Sequence, residues 1–148
     1  MGVERTHRRI TRYLLDTSAL LTLSDDEQGA ERVEALLLEA RRGEAQVYMS
    51  CMSAMEAGYK MYQRRSEQGL VSMLAYLQKL PIIRIDINDE LIALAARMKV
   101  AYRLSLADAW VLATARQLGA VLVHKDPDFE QAQTEVQLQA LPYKQPSA

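Results

Sequence analysis

The amino-acid sequence predicts an α/β protein built on a parallel sheet, and three observations lead there. Short apolar runs of strand length alternate with longer segments whose apolar residues recur at helical spacing. Gly or Pro often stands at the joins. The chain has 148 residues, 49% hydrophobic and 25% charged, which suits one compact globular domain rather than a disordered or fibrous protein.

The first strand is expected over Arg12 to Leu15, with Asp16, Thr17 and Ser18 opening a short helix through Leu23. Ala30, Val33, Leu36, Leu37 and Ala40 have helical spacing, and Gly43 sits where a glycine cap would end that helix. A strand follows near Ala45 to Met49. Ser53 is expected to begin a helix carrying Met55, Tyr59 and Tyr62; Leu70, Met73, Leu74, Leu77 and Leu80 mark the stripe of the next, which Pro81 stops. Ile82 to Ile85 reads as a third strand, and Asn88 as the N-cap of a helix bearing Leu91, Ile92, Ala95 and Met98. Ser105 caps another helix, which runs through Trp110, Val111, Leu112 and Ala115 to Leu118, is closed by Gly119 and leads into a strand over Ala120 to Val123. Glu135 to Leu138 has the pattern of an edge strand, and Pro142 to Ala148 that of a fraying terminus. With no internal repeat, linker or low-complexity segment, residues 1–148 are expected to form a single domain with its core over about 12–140.

Composition also excludes some functions. No stretch approaches the roughly 20 apolar residues needed to cross a bilayer, and the basic opening segment has no apolar run behind it, so a soluble, cytoplasmic protein is expected. The single cysteine, Cys51, has no intramolecular disulfide partner and no neighbouring His or Cys; a buried strand position is expected for it. The net charge of -1 neither demands nor excludes nucleic acid, because the footprint of such a partner is a local basic patch. Basic residues cluster at Arg5 to Arg12, Arg41-Arg42, Arg64-Arg65 and His124-Lys125, and each cluster alone also suits a solvated helix end or loop.

The chemistry points to carboxylates. Asp16 follows the apolar run Tyr13-Leu14-Leu15, and Asp126 lies just beyond Val121-Leu122-Val123. Both therefore belong at the carboxyl ends of strands, where parallel sheets build their sites. Glu56 and Asp108 stand three residues after Ser53 and Ser105, in first helical turns facing the same rim. For either of these alone a capping box is the commoner use of the pattern, and Asp16 or Asp126 alone suits a turn or a helix N-terminus. Four acids on one rim, however, would repel one another unless a cation neutralised them. Hard oxygen ligands without a His or Cys cluster suit Mg2+ or Mn2+ rather than zinc; His7 and His124 are too few and too far apart for a zinc motif. Such a site suits phosphodiester hydrolysis by one ion, or by a pair about 3.5 to 4 Å apart.

Leu14-Leu15-Asp16-Thr17-Ser18-Ala19-Leu20, Ser53-Ala54-Met55-Glu56, Leu106-Ala107-Asp108-Ala109 with Leu112-Ala113-Thr114-Ala115, and Val121-Leu122-Val123 leading to Asp126 and Phe129 together resemble the PIN domain, in particular VapC-type toxins. The resemblance runs from about Tyr13 to Phe129. It implies a three-layer sandwich with a mostly parallel, doubly wound central sheet flanked by helices. It also implies Mg2+- or Mn2+-dependent endoribonuclease activity, a homodimer, and a cognate VapB-like antitoxin that occludes the site. Asp16, Glu56, Asp108 and Asp126 take the places of the acidic metal-binding quartet, Thr17 or Ser18 that of the hydroxyl orienting the first acid, and Asp128 that of a possible assistant. Relatives often carry Thr or Ser two residues before the fourth acid, where this chain has His124; it is read either as a phosphate or proton-transfer group or as a half-exposed strand-end residue.

Arg64, Arg65, Arg103 and Lys125 are candidate RNA phosphate contacts, and each also suits a solvated surface charge. Tyr59, Tyr62 and Trp110 suit base stacking or, more in keeping with their helical positions, core or dimer packing. Met49, Met52, Met55 and Met61 read as core filler, and Asp25, Asp26, Asp86 and Asp89 as loop and cap residues. The alternative to a toxin ribonuclease is a catalytically silent PIN-like module that binds RNA or protein. An aspartyl-phosphate enzyme is disfavoured because Ser18, not a second Asp, stands two residues after Asp16.

Overall fold

The computed structural model describes residues 9–144; Arg5 and Arg8 of the opening basic cluster, His7, and residues 145–148 of the expected fraying terminus lie outside it. Five strands, β1 (Thr11–Leu15), β2 (Ala45–Ser50), β3 (Ile83–Ile85), β4 (Val121–His124) and β5 (Leu138–Ala140), form one sheet in the order β3-β2-β1-β4-β5. Every neighbouring pair is parallel, so the sheet expected to be mostly parallel is wholly so. Five helices connect the strands: α1 (Thr17–Ser24), α2 (Ala30–Arg41), α3 (Cys51–Lys79), α4 (Asp89–Ala101) and α5 (Leu106–Leu118), with a 3-10 helix over Pro127–Ala132. The chain winds outward from β1 through β2 to β3, then returns to lay β4 on the other side of β1. Winding therefore reverses between β1 and β4.

The two faces of the sheet follow from strand alternation. Leu15, Val47, Met49 and Val123 point into a core closed by Ala19, Leu20, Val33, Leu36, Ala57 and Met73 of α1, α2 and α3. Leu14, Tyr48 and Leu122 point the other way, against Leu91, Met98, Val111, Leu112 and Phe129. The result is the expected three-layer sandwich. Among the described residues, no helix is long and apolar enough to cross a membrane.

Local chemistry sets most boundaries. Asn88 accepts from the Leu91 N–H at 2.8 Å and Ser105 from the Asp108 N–H at 3.1 Å, so both expected N-caps are present. Gly119 ends α5 in the left-handed region, at φ 61, where a side chain would be strained.

Three expectations about the elements fail. The helix expected from Ser53 begins at Cys51, because β2 runs directly to Ser50, whose hydroxyl accepts from the Met52 N–H at 3.1 Å. Ser53 is thus buried inside the first turn, Ser53 and Glu56 form no capping box, and Cys51 is a half-buried helix residue rather than a strand residue. The two helices expected between Ser53 and Leu80 are both present and join directly, at a break where Arg65 and Ser66 leave helical geometry. Met55, Tyr59 and Tyr62 are exposed, because the inward face of α3 carries Ala54, Ala57, Gly58 and Met61 instead; of the expected core residues, Leu74 and Ile92 are exposed too. Finally, the edge strand lies at Leu138–Ala140, not Glu135 to Leu138, since Val136 is drawn into the core behind the 3-10 helix.

Candidate functional site

The carboxyl ends of β1 and β4 are stitched by the Asp16 N–H donating to the Val123 carbonyl at 3.1 Å. Asp16 is the N-cap of α1, and its Oδ1 accepts from the Ala19 N–H at 2.8 Å and the Ser18 hydroxyl at 2.6 Å. The same Ser18 oxygen accepts from the Lys125 N–H at 3.0 Å, tying the carboxylate to the chain leaving β4. Of the two hydroxyls predicted to orient Asp16, Ser18 makes the contact, while Thr17 is buried beside it.

Asp126 caps the 3-10 helix, its Oδ1 accepting from the Asp128 N–H at 2.9 Å. Its own N–H donates to His124 Nδ1 at 3.1 Å. His124 is buried rather than half-exposed, edge-on to Phe129 with ring centres 5.3 Å apart. Burial lowers its pKa against the opposing pull of Asp126. With Nδ1 accepting from the Asp126 N–H, it is a neutral acceptor that shapes the Asp126 turn.

Asp108 stands in the first turn of α5, and Glu56 farther into α3, with Lys60 Nζ 3.9 Å from its Oε1. These four acids line one cavity of 220 Å³, shared with Thr17, Ser18 and Lys60. Convergence has an electrostatic cost. Burial, opposed by the Ser18 and Ala19 donors and increased by the charges of Asp108 and Asp126, pushes the Asp16 carboxyl up to about 7. Burial likewise raises Asp108 despite Ser105, with Asp126, Glu56 and Asp128 adding repulsion. The donor set fits a hard cation. Even so, among the described residues no three His, Cys, Asp or Glu side chains stand close enough to form a ready-made cage. The acids share a cavity without closing into a ligand shell.

The other predicted residues scatter. Asp128 is exposed, and its contact with the group is its backbone N–H to Asp126. Lys125 is not a free surface charge: its side chain is 5% exposed and bonded to Glu27 Oε2 at 3.1 Å. Burial would raise Glu27, yet Lys125 and Lys144 outweigh it and hold the acid below its usual range. Arg103 is exposed, with its backbone N–H donating to the Gln131 side chain. Arg64 and Arg65 line a second cavity of 520 Å³, where Arg64 Nη1 reaches Asp25 at 3.1 Å. Lys60 was missed, although a Lys one turn after Glu56 is a readable helix pair. Glu27 is 98 residues from Lys125 and had no local signal.

The sequence matches the PIN domain family model over residues 13–135. No curated protein matches it significantly. Among solved structures, the chain is similar to one in VapBC2 from Rickettsia felis bound to a DNA fragment from its promoter: 16% identity, 89% of this chain and 100% of that one, TM-score 0.73. It is also similar to one in VapBC-1 from nontypeable Haemophilus influenzae, at 20% identity over 88% of this chain and 98% of that one, TM-score 0.68. A third is VapC20 from Mycobacterium tuberculosis, a sarcin-ricin loop cleaving toxin, at 20% identity over 81% and 94%, TM-score 0.67. At these identities the likeness is one of fold, and the family match rests on the sequence itself: the chain belongs to the PIN domain family.

Proposed function

We propose that the protein is a Mg2+- or Mn2+-dependent endoribonuclease, the toxin of a toxin-antitoxin pair. The observation that carries this reading is the convergence of Asp16, Glu56, Asp108 and Asp126 on one cavity at the reversal between β1 and β4, the place where parallel sheets bind ligands. Family membership and the fold shared with VapC20 support it. The four acids would hold the cation, with Asp128 outside the set. Bound there, the cation supplies Lewis acidity and neutralises charge at the phosphodiester.

The chain's own groups do the rest. Ser18 and the Ala19 N–H occupy Asp16 Oδ1 and fix that carboxylate at the cavity. Lys60 balances part of the acidic charge beside Glu56 and presents a cation to an incoming phosphate. VapBC complexes of the same fold support a VapB-like antitoxin as partner. The exposed stripe Met55, Tyr59 and Tyr62 favours a protein contact on α3, and a homodimer in the cytoplasm is the state proposed.

Cleavage of single-stranded RNA with Mg2+ or Mn2+ tests the reading. Asp16→Asn and Asp108→Asn are expected to lose about 100-fold or more in rate, the scale on which charge-stabilising groups act, while keeping the far-UV spectrum of the folded protein. Full cleavage by both variants would overturn it. A wild-type chain that binds RNA but never cuts it would point to a silent binding module.

A further inference from the structure

The two cavities lie at opposite ends of α1. Asp16, Thr17 and Ser18 at its start line the acid cavity, and Ser24 and Asp25 at its end line the larger one. Helix α3 runs beside α1 and contributes to both: Glu56 and Lys60 to the first, Arg64 and Arg65 to the second. Glu56, Lys60 and Arg64 are spaced i, i+4, i+8 on the regular stretch before the break, so they share one face. At 1.5 Å per residue, Lys60 and Arg64 stand about 6 and 12 Å along the axis from Glu56. That interval is close to the separation of successive phosphates in an unstacked strand.

We propose that single-stranded RNA runs from the acid cavity along the α1–α3 groove, with Lys60 and Arg64 on successive phosphates and one nucleotide seated in the 520 Å³ cavity beside Arg65. This rests on the ribonuclease reading and adds the path of the substrate. The larger cavity is of ligand size, and Ser24, Gln68, Ser72 and Tyr76 give it polar groups for a base or ribose. Arg64 is only partly committed: Nη1 alone engages Asp25, and its side chain is 51% exposed. Asp25 is thus a competitor that an RNA phosphate displaces. Next to Arg65 in the chain, Ser66 holds φ 56 and ψ -153, a conformation suited to glycine.

Fluorescence anisotropy of a labelled single-stranded oligoribonucleotide, with EDTA present and the full chain, tests the path without cleavage. The double variant Arg64→Gln/Arg65→Gln is expected to bind about 10-fold more weakly and to flatten the slope of log affinity against log salt by roughly 0.7 per lost phosphate contact. Asp25→Asn, which frees Arg64, should tighten binding. If the Arg64–Asp25 pair only tethers α1 to α3, Asp25→Asn leaves affinity unchanged or weaker and the proposal falls. Wild-type affinity and slope in the double variant overturn it as well, as does a wild-type chain that binds no single-stranded RNA. The ribonuclease reading fails separately: RNA bound with the predicted slopes but cut at the wild-type rate by both Asp16→Asn and Asp108→Asn would sink that reading and leave the RNA path standing.

Discussion

Asp16 shows how much a single residue gives up to hold its place. Its carboxyl is buried, faces other acids and titrates near 7 instead of the usual carboxylate range. A group whose pKa is higher folded than unfolded stabilises the native state while protonated, and that stability is lost as pH rises from about 4 through about 7. At about 1.36 kcal/mol per pKa unit, the loss at pH 8 amounts to at most about 4 kcal/mol. In EDTA, Asp16→Asn should therefore melt at a higher temperature than wild type at pH 8 and at a nearly equal one at pH 5; an equal difference at both pH values would refute the assignment. Asp16 and Asp108 were legible in the sequence because each is marked locally, one by an apolar strand before it and the other by a capping serine. Glu56 was harder, since Ser50 and Ser53 both suit an N-cap and only the length of β2 decides between them. The buried state of His124 and Lys125 was not legible, because Phe129 and Glu27 meet them only through the fold.

Elements differ in the same way. Helices α4 and α5 carried their own boundaries in Asn88, Ser105 and Gly119, whereas β3 and β5 have three residues each and depend on partners distant in sequence. The 3-10 helix escaped notice because Pro127-Asp128 reads as an ordinary turn. In α3 the apolar pattern indicated two helices, but not how sharply they join. Gly69 allows the join: a side chain there would collide with the Met61 carbonyl. Ser66 is the strained point, in a region costing about 1–3 kcal/mol for a residue with a side chain. Ser66→Gly should relieve it and raise the melting temperature by about 2–4 °C in a domain of this size. A lower melting temperature would mean that the conformation is not strained.

At the scale of the molecule, function follows from sheet order. Asp16 and Asp126 are far apart in sequence and become neighbours because β4 pairs with β1 where the winding reverses. Alternating strands and helices predicted the parallel sheet, the family resemblance implied the three layers, and the apolar runs before the two acids predicted the rim; the groove from that rim to Arg64 needed the packing of α1 on α3. The rim is proposed as a cation site, although among the described residues its carboxylates form no ready-made cage. Anomalous diffraction from Mn2+-soaked crystals tests it most directly. A manganese peak is expected among Asp16, Glu56, Asp108 and Asp126, with Asp16 Oδ1 still held by Ser18 and the peak abolished in Asp108→Asn; an ordered rim with no peak at saturating Mn2+, or a peak held by other residues, would rule the cation site out.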